Sequence, residues 1–366
     1  MKSRTIIYAI VVAALVGVYF LATALPGKIE ERRDARMKTL LTGALRSCLK
    51  SADGAFAGMV SISEVGSGRP PVSVYIAKGA DSSDVRYGND LIPVVPGSFL
   101  QTATLMYYLD NGVVTLDTKV PTDGGALPGF ADKEGPYSRR DPFIYDYERM
   151  TGKDSITVRE GYLSAYRYVT DRYVLDDINN GGTHNCHGFL SSLGEYFGTS
   201  TAYSLPSSED QLPVNRSVLS VCDGYGVVLS HSQLLQFYGT LAAGGEKPGR
   251  WYSPKKRICQ EAVADTIKAL LRKNVLEGTG KMLRDCPVPV AAKNGSGYLA
   301  DDGYLPGYGN IKDNEPVRMF STIGFFPADN PKYTMCVTMY YDGVSTLASL
   351  TTFRYIVFKL ESQGLL

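Results

Sequence analysis

The chain has 366 residues, enough for one large domain or about two of ordinary size. Lys and Arg total 38 against 37 Asp and Glu, so the formal net charge is +1, without the basic excess typical of nucleic-acid-binding proteins. Apolar residues make up 44% and charged residues 20%, which excludes a largely disordered chain and supplies material for a core. We therefore expect a globular protein without a nucleic-acid partner.

The N-terminus carries an uncharged apolar segment. Residues 5–25 contain no charged side chain and would span about 31 Å as a helix, enough to cross the core of a bilayer. This predicts a transmembrane anchor, with a signal peptide as the alternative because the run Ala-Thr-Ala at 22–24 fits a cleavage site. Residues 1–4 precede the anchor as a tail, residues 26–50 follow as a charged helical stalk, and the globular domain covers 51–366.

Apolar and β-branched stretches predict strands near both ends of the globular part. Two strands joined by a Gly/Pro-rich turn are expected over residues 55–78, and three more over 287–293, 319–326 and 333–341. A hairpin turn at 327–331 joins the last two. The predicted fold class is mixed α+β: a five-stranded antiparallel sheet flanked by helices, with an additional helical subdomain.

Helical periodicity fills the middle of the chain and its end, with helices that begin near Ser98, Thr157, Ser230 and Gln260 and a closing helix over 350–361. Capping boxes mark the starts at Thr157 and Ser230, since a Glu or Gln follows three residues later. The helix that starts at Thr157 is expected to run unbroken to Asn179, with a row of tyrosines toward the core.

Five stretches resemble, in the same order, parts of the penicillin-binding protein transpeptidase domain. Pro96-Gly97-Ser98-Phe99 with its helix resembles the nucleophile region, and residues 156–168 resemble the helix that delivers the S-x-N motif. Gly224-Tyr225-Gly226 resembles the family's G-Y-G segment. Residues 275–297 resemble the segment that ends in the K-T-G-T strand, and residues 321–337 the hairpin after it. The resemblance covers about residues 55–360 and implies a class B-like transpeptidase fold of the β-lactamase type, without a pedestal domain.

Two of the three catalytic motifs that the resemblance implies are altered. A serine hydroxyl is a poor nucleophile without a base beside it, and the family supplies a Lys one helical turn after the Ser. Here the nucleophile position is Ser98, but the base position is Gln101, whose amide cannot accept a proton at neutral pH. The S-x-N motif falls on Ala165-Tyr166-Arg167, or on Ser164-Ala165-Tyr166 after a shift of one residue, and neither register keeps the Asn.

The third motif survives as Lys293-Asn294-Gly295-Ser296. Lys293 is a candidate to bind a substrate carboxylate, and Gly295 leaves room for an extended ligand along the strand edge. Asn294 and Ser296 are candidate substrate contacts, as are Tyr166 and Arg167. Arg167 is expected on the rim of the cleft, where it would add a second cation.

The altered motifs predict a catalytically impaired homologue that keeps the fold for binding or scaffolding in peptidoglycan metabolism. Loss of one general base lowers the reaction rate by a factor of about 10² to 10⁴. The effects of losing several residues that act as a unit do not add, so the loss of base and proton shuttle together should leave little turnover. One alternative is a slow D,D-transpeptidase or carboxypeptidase that uses Ser98, with Lys293 or Arg167 in altered roles. Another is that the register of the motif at Ser98 is misread. For Ser98 alone, the alternative is a plain helix cap, since Ser is a favoured cap residue.

The resemblance also implies partners and a location. The expected ligands are a peptidoglycan stem peptide or a β-lactam, bound weakly or not at all, and cell-wall proteins are further candidate partners. The expected location is the inner membrane of a bacterium, with one crossing at residues 5–25 and the domain outside the cytoplasm.

No cofactor and no metal are predicted. His184, Cys186 and His187 lie close together, but no second cluster accompanies them and zinc sites use three or four ligands. Cys336 is expected as a buried free thiol on a strand. Four other cysteines are disulfide candidates whose connectivity stays open: Cys186, Cys222, Cys259 and Cys286.

Overall fold

The structure is a computed structural model that describes residues 2–78, 85–88, 92–122, 127, 152–181, 183–198, 218–224, 226–249, 254–298, 304–305, 309–310, 317–341 and 347–366. Within these ranges, side chains are described except at 2–26, 183–185, 304–305 and 309–310. Tyr225, in the segment that resembles the family's G-Y-G, lies outside the described residues.

The strands form one large sheet and three small ladders. The ranges are β1 (Ala55–Glu64), β2 (Val72–Ala77), β3 (Arg86–Tyr87), β4 (Lys119–Pro121), β5 (Ser155–Thr157), β6 (Glu246–Lys247), β7 (Lys256–Arg257), β8 (Ala291–Tyr298), β9 (Tyr304–Leu305), β10 (Gly309–Asn310), β11 (Arg318–Phe326) and β12 (Tyr333–Tyr341). The large sheet is antiparallel, in the order β3-β2-β1-β12-β11-β8, so the first long strand pairs with the last.

The mixed α+β class is confirmed, but the predicted strand number is wrong because the sheet has six strands rather than five. The additional strand is β3, which has two residues and pairs with Val74 and Tyr75. Two residues are too few to show an alternating pattern. The strand predicted over 287–293 begins at Ala291 instead, after two prolines that have no N–H to donate to a neighbour.

The helices are α1 (Lys2–Ser51), α2 (Leu100–Asp110), α3 (Val158–Ser164), α4 (Arg167–Asn179), α5 (Thr183–Phe197), α6 (His231–Ala242), α7 (Glu261–Leu276) and α8 (Ala348–Ser362), with 3-10 turns at Gly97–Phe99 and Lys281–Leu283. Both predicted capping boxes are present. Thr157 accepts a bond from the Glu160 N–H at 3.1 Å, and Ser230 accepts one from Gln233 at 3.3 Å.

The helix predicted to run unbroken from Thr157 is two helices. Ala165 adopts a left-handed conformation with φ 56°, and the chain reverses between α3 and α4. A Cβ on Gly161 would lie 2.6 Å from Val169, so only glycine lets the two helices approach this closely. Helical spacing of apolar residues cannot reveal such a reversal, because both short helices keep the same spacing.

Apolar side chains pack on both faces of the sheet. Helices α2 to α7 cover one face, while α1 and α8 cover the other. Six side chains of α1 are buried in this second layer: Met37, Leu40, Leu41, Ala44, Leu45 and Leu49. The second half of the predicted stalk is therefore helical and packs on the domain that follows it.

The backbone of α1 also covers the predicted anchor at residues 5–25, whose side chains lie outside the described part of the structure. Among the residues that were described, no helix has the length and apolarity needed to cross a membrane. The anchor stays a prediction.

His231, in the first turn of α6, occupies the core and is fully buried. Its ring nitrogens contact Ser61 Oγ of β1 at 2.9 Å and Thr338 Oγ1 of β12 at 2.8 Å. Thr338 in turn contacts Ser321 Oγ of β11 at 2.8 Å. Burial lowers the pKa of His231 to about 3, so the ring is neutral at physiological pH. His231 therefore ties α6 to the three central strands.

Candidate active site

The turn that carries Ser98 lies against β8. A Cβ on Gly97, which has φ +51°, would overlap the Ser296 carbonyl oxygen. A Cβ on Gly295 would lie 2.9 Å from the Pro96 oxygen and 3.3 Å from the Phe99 ring. Glycine is therefore required on both sides of the contact. The structure thus brings Ser98 together with the strand that carries Lys293.

A second glycine turn supports the Ser98 turn. The Gly97 N–H donates to the Gly224 oxygen at 3.1 Å. A Cβ on Gly224, at φ +88°, would overlap the Gly97 oxygen. Gly224, the first residue of the G-Y-G segment, therefore packs backbone to backbone against the nucleophile turn, with Asp223 immediately before it.

Ser98 is half-buried inside the 3-10 turn, and it is not a helix cap. Pro96 is the cap residue of the turn and Phe99 that of α2. Gln101 lies one helical turn further and is 2% exposed. Its Nε2 is buried and has no hydrogen-bond partner in the described part of the chain. A buried amide left unpaired costs about 1–3 kcal/mol, and this one occupies the position of the family's base.

Lys293 is a buried cation. It is 1% exposed and makes no ion pair with any described residue. Its Nζ lies 5.2 Å from the centroid of the Tyr162 ring and 3.5 Å from the Asn294 oxygen. Burial lowers its pKa to about 8, because desolvation disfavours the charged ammonium. Side chains alternate along a strand, so Lys293 shares its face of β8 with Gly295, the residue that contacts the Ser98 turn.

Asn294 and Ser296 occupy the other face of β8. Asn294 Oδ1 accepts a hydrogen bond from Thr279 Oγ1 at 2.6 Å, and the Thr279 N–H donates to Asn274 Oδ1 at 3.1 Å. Asn274 also donates to the Ala292 oxygen at 2.9 Å. These bonds fasten β8 to the end of α7. The Asn294 side chain thus has a structural partner, and Ser296 meets the Ser98 turn through its backbone.

Arg167 does not lie on the rim of the cleft, where the sequence places it. It is 6% exposed and forms ion pairs with Asp171, at 3.3 Å, and with Asp223. Both carboxylates are fully buried. Because two carboxylates engage the guanidinium, Arg167 is not a free second cation. The spacing of Arg167 and Asp171, four residues apart on a helix, is a signal that sequence reasoning could have used, whereas Asp223 has none.

The other S-x-N position also lacks its chemistry. Ala165, the only described non-glycine residue with a positive φ, has no hydroxyl to move a proton. Tyr166 is half-buried and begins α4 without a side-chain cap. In either register, therefore, the connection between α3 and α4 presents no Asn to the cleft.

Three hydroxyl side chains beneath the cleft were not predicted as site residues. Tyr162 contacts Thr102 Oγ1 at 2.8 Å, and Thr102 contacts the Tyr238 hydroxyl at 2.9 Å. Tyr238 donates to the Phe99 oxygen at 3.2 Å. The sequence shows each of them only as a core residue at helical spacing, because a chain of contacts between three helices has no one-dimensional pattern.

The cysteine and histidine cluster provides no converging ligands among the described side chains. Cys186 is buried, His187 is exposed, and the side chain of His184 lies outside the described set. All six cysteines are free thiols, including the four disulfide candidates. Cys336 is fully buried, as predicted for a free thiol on a strand.

A cavity of about 520 Å³ lies elsewhere, between the β1–β2 turn and α6. Its cationic side chains already have partners: Arg69 pairs with Asp34 at 3.0 Å, and Lys256 pairs with Glu195 at 3.1 Å. Ser98, Gln101 and Lys293 do not line it. The geometry of the motifs, rather than cavity size, therefore identifies the candidate site.

Comparison with known proteins supports the predicted fold. Residues 185–349 match the family model of the penicillin-binding protein transpeptidase domain. No curated protein matches the chain by sequence. The structure is similar to the transpeptidase domain of the FtsI4 D,D-transpeptidase from Legionella pneumophila, with a TM-score of 0.57 and 15% identity over 90% of this chain and 97% of that one.

A second similar structure is a peptidoglycan synthetase from Bifidobacterium adolescentis, with a TM-score of 0.60 and 15% identity. The match covers 88% of this chain and 60% of that one, so the synthetase has a large part without a counterpart here. The family match includes the Lys293 motif, whereas Ser98, Gln101 and the Ala165 region precede it. The chain therefore has the fold of a penicillin-binding protein transpeptidase domain, as the motifs predict.

Proposed function

We propose that this chain is a transpeptidase-like domain of peptidoglycan metabolism that binds a stem peptide and does not turn it over. The observation that carries the proposal is Gln101. It occupies the base position one turn after Ser98, and its side chain is buried. An amide has no basic lone pair at neutral pH, so it cannot take the proton that Ser98 must lose to attack a carbonyl.

In the register that places the motif on Ala165-Tyr166-Arg167, the second group that moves protons in this family is absent as well. Ala165 provides no hydroxyl, and the Arg167 charge is held by Asp171 and Asp223. A guanidinium stays protonated throughout the physiological pH range and cannot act as a base. Without a base or a proton shuttle, acyl transfer to Ser98 should be too slow to give measurable turnover.

Lys293 supports the binding half of the proposal. A buried ammonium without an anionic neighbour is unfavourable, and a ligand carboxylate would supply the missing charge. The backbone N–H groups at the start of α2 add a partial positive charge on the opposite side of the cleft. An anionic peptide end is therefore the ligand that this cleft fits best.

Two measurements test the proposal together. Fluorescent penicillin should give no adduct that depends on Ser98, when the wild type is compared with Ser98→Ala. In calorimetry, a peptide that ends in D-Ala-D-Ala should bind weakly and less tightly as salt rises, and its C-terminally amidated form should not bind. Binding should disappear in Lys293→Ala. Stoichiometric labelling at Ser98, or equal binding of the acid and the amide, would contradict the proposal.

A second function, slow acyl transfer, is favoured by one observation. The pKa of Lys293 is lowered by burial to about 8, so a fraction of the side chain is a neutral amine near neutral pH and could accept a proton. If Lys293 were the base, labelling at Ser98 would be slow, rise through pH 8 and vanish in both Ser98→Ala and Lys293→Ala. Absence of labelling up to pH 9 would leave binding as the function.

We also propose that residues 5–25 anchor the chain in the inner membrane, with the domain outside the cytoplasm. The length of the apolar segment and the periplasmic substrate of the family support this placement. A C-terminal alkaline phosphatase fusion should be active and a C-terminal cytoplasmic reporter silent. The reverse pattern would contradict the proposed topology.

A further inference from the structure

Lys293 lies against an aromatic ring instead of a carboxylate. Its Nζ is 5.2 Å from the centroid of Tyr162, within the range at which the negative face of a ring attracts a cation. Both side chains are buried, where water competes least with this attraction. Tyr162 is thus the described side chain best placed to stabilise the ammonium.

The ring of Tyr162 is held at its far end by a chain of hydroxyl groups with a defined direction. A carbonyl oxygen only accepts, so Tyr238 donates its single proton to the Phe99 oxygen. In its contact with Thr102, Tyr238 must therefore accept. Because Thr102 donates its only hydroxyl proton to Tyr238, it must accept from the Tyr162 hydroxyl. The Tyr162 hydroxyl is consequently a donor, which leaves electron density on the ring that faces Lys293.

This chain connects two parts of the site that are distant in sequence. It begins at Lys293 on β8, passes through Tyr162 on α3, and ends at the backbone of the Ser98 turn. Thr102 is the residue after Gln101, on helix α2, which directly follows the Ser98 turn. The position of the ammonium is therefore linked to the position of the turn.

We propose that Tyr162 is the positioning residue of this cleft: its ring holds the Lys293 ammonium in place, and the hydroxyl chain through Thr102 and Tyr238 fixes the ring to the Ser98 turn. The inference deepens the proposed function, since the ammonium is the group that would meet a ligand carboxylate. Its test, however, needs no ligand.

The surroundings of Lys293 contain few groups that could confuse that test. Burial raises the pKa values of Tyr162 and Tyr238 well above 10, so both stay neutral through the range in which Lys293 titrates. Helix α7, packed against β8, contributes the cation Arg272, which donates to the Val290 oxygen at 3.0 Å. The neighbour across β11 is the apolar Ile323.

The test is the pH dependence of the free energy of unfolding. The folded pKa of Lys293, about 8, is below its ordinary value of 10.5. Between these values the unfolded chain holds a proton that the folded protein has lost, so stability rises with pH. Urea unfolding from pH 6 to 9.5, below the range in which tyrosines ionise in the unfolded chain, should show a rise that begins near pH 8 in the wild type. The same series with Lys293→Met isolates this contribution from those of other groups.

Loss of the ring should lower the pH at which the rise begins. In Tyr162→Leu, the lost attraction should shift the onset down by about one pH unit, a tenfold change in proton affinity. Tyr162→Phe keeps the ring but loses the hydroxyl that holds it, so it should shift the onset by less than Tyr162→Leu does. Tyr162→Met replaces Tyr162→Leu if that variant does not fold. In the Lys293→Met background, none of these substitutions should move the profile.

Three outcomes would overturn the proposal: an unchanged onset in Tyr162→Leu or Tyr162→Met, an equal shift in Tyr162→Phe, or a shift that persists without Lys293. Peptide calorimetry on the same variants separates this inference from the proposed function. A shifted onset in a protein that binds no peptide would support Tyr162 as the positioning residue and reject the binding function. Peptide binding by a protein whose onset is unshifted in Tyr162→Leu would support the binding function and reject Tyr162 as the positioning residue.

Discussion

The two sides of the cleft have kept different amounts of the family's chemistry. On one side, β8 lies within the segment 185–349 that matches the family model, and it retains Lys293 and Gly295. On the other side, the Ser98 turn and the connection between α3 and α4 precede that segment. There Gln101 lies where the resemblance implies a base, and the region of Ala165 lies where it implies the proton shuttle.

The contrast shows that the backbone of this site and its catalytic groups depend on different constraints. The contact between Gly97 and Ser296 joins the Ser98 turn to the sheet, so a change there would disturb the packing of the whole domain. Gln101 and Arg167 are instead positions at which the side chain differs from the one that the family resemblance implies. Each is nevertheless buried, so the replacements are now part of the packed interior. Substitutions at these two positions should therefore change the stability of the protein as well as its chemistry.

The largest expected effect is the cost of restoring an Asn at position 167. Arg167→Asn removes the guanidinium from between two buried carboxylates, Asp171 and Asp223. Breaking a buried ion pair by removal of one partner costs about 3–5 kcal/mol. We therefore expect the free energy of unfolding, measured by urea titration at pH 7, to fall by about that amount.

Two matched variants sharpen this prediction. Arg159→Asn breaks a pair with Asp117 in which the side chains are 36% and 80% exposed, and it should cost less than about 1 kcal/mol. The double variant Arg167→Asn with Asp223→Asn removes one of the uncompensated charges and should recover part of the loss. If Arg167→Asn were as mild as Arg159→Asn, the altered side would be a passive remnant.

The retained side should show the opposite sign. Lys293→Met removes a buried ammonium whose pKa is lowered to about 8 from 10.5, and each unit is worth about 1.4 kcal/mol. At pH 7 the variant should gain up to about 3 kcal/mol in the free energy of unfolding while it loses peptide binding. The gain should shrink as pH rises from 8 to 10.5, because the wild-type protein then becomes more stable.

A surface lysine provides the control for this second prediction. Lys273, on α7, is 39% exposed and pairs with Glu277 at 3.5 Å. Lys273→Met should change stability by less than about 1 kcal/mol and leave the pH profile unaltered. A Lys293→Met protein that is less stable than the wild type would mean that the ammonium has a stabilising partner in the protein. It would contradict the inference that a ligand carboxylate supplies the missing anion.

The fold was largely predictable from the sequence because its signals are local. The apolar and β-branched stretches of β1 and β12 and the capping boxes at Thr157 and Ser230 each depend on residues that are close in the chain. The two-residue strand β3 has no local signal, because it exists only through its pairing with β2, and it was therefore not predicted.

The site was predictable only as far as its motifs extend. Ser98, Gln101 and Lys293 are visible as spaced residues, and the structure brings their elements together. The partners that decide their chemistry are not visible. Asp223 is 56 residues from Arg167, and Tyr162 is 131 residues from Lys293, so these contacts arise only from the packing of helices on the sheet.

A smaller effect is expected at Gln101, and it separates two views of the altered side. Gln101→Met keeps the size of the side chain and removes an amide nitrogen that is buried without a partner. We expect a gain of about 1 kcal/mol in the free energy of unfolding. Gln101→Lys instead places a charge at a position that is 2% exposed, so it should destabilise the protein.

The same pair of variants tests whether the base alone is missing. Fluorescent penicillin should not label Gln101→Lys at Ser98, because the shuttle position at Ala165 is still without a hydroxyl. Labelling of Gln101→Lys that is lost in the double variant with Ser98→Ala would show that one substitution separates this protein from an acyl-transfer enzyme. Lower stability of Gln101→Met would show that the amide has a structural role.

The smallest expected effect lies at Ala165, where the chain reverses between α3 and α4. Its φ of 56° crowds the side-chain methyl group against the backbone, at a cost of about 1 kcal/mol for a residue other than glycine. Ala165→Gly relieves that crowding but frees the unfolded chain, so the net gain should be about 0.5 kcal/mol. Ala35→Gly, at an exposed position inside α1, should lower the free energy of unfolding by about 1 kcal/mol, because it makes the unfolded chain more flexible and relieves no backbone crowding.

Ala165→Ser restores the family's hydroxyl in the same strained backbone, and we expect it to change neither stability nor penicillin labelling. If Ala165→Gly is destabilising, the methyl group packs usefully, and the reversal is held by side-chain contacts. If it is stabilising, the backbone of the lost motif is still held in its strained shape by the helices around it, although its chemistry is gone.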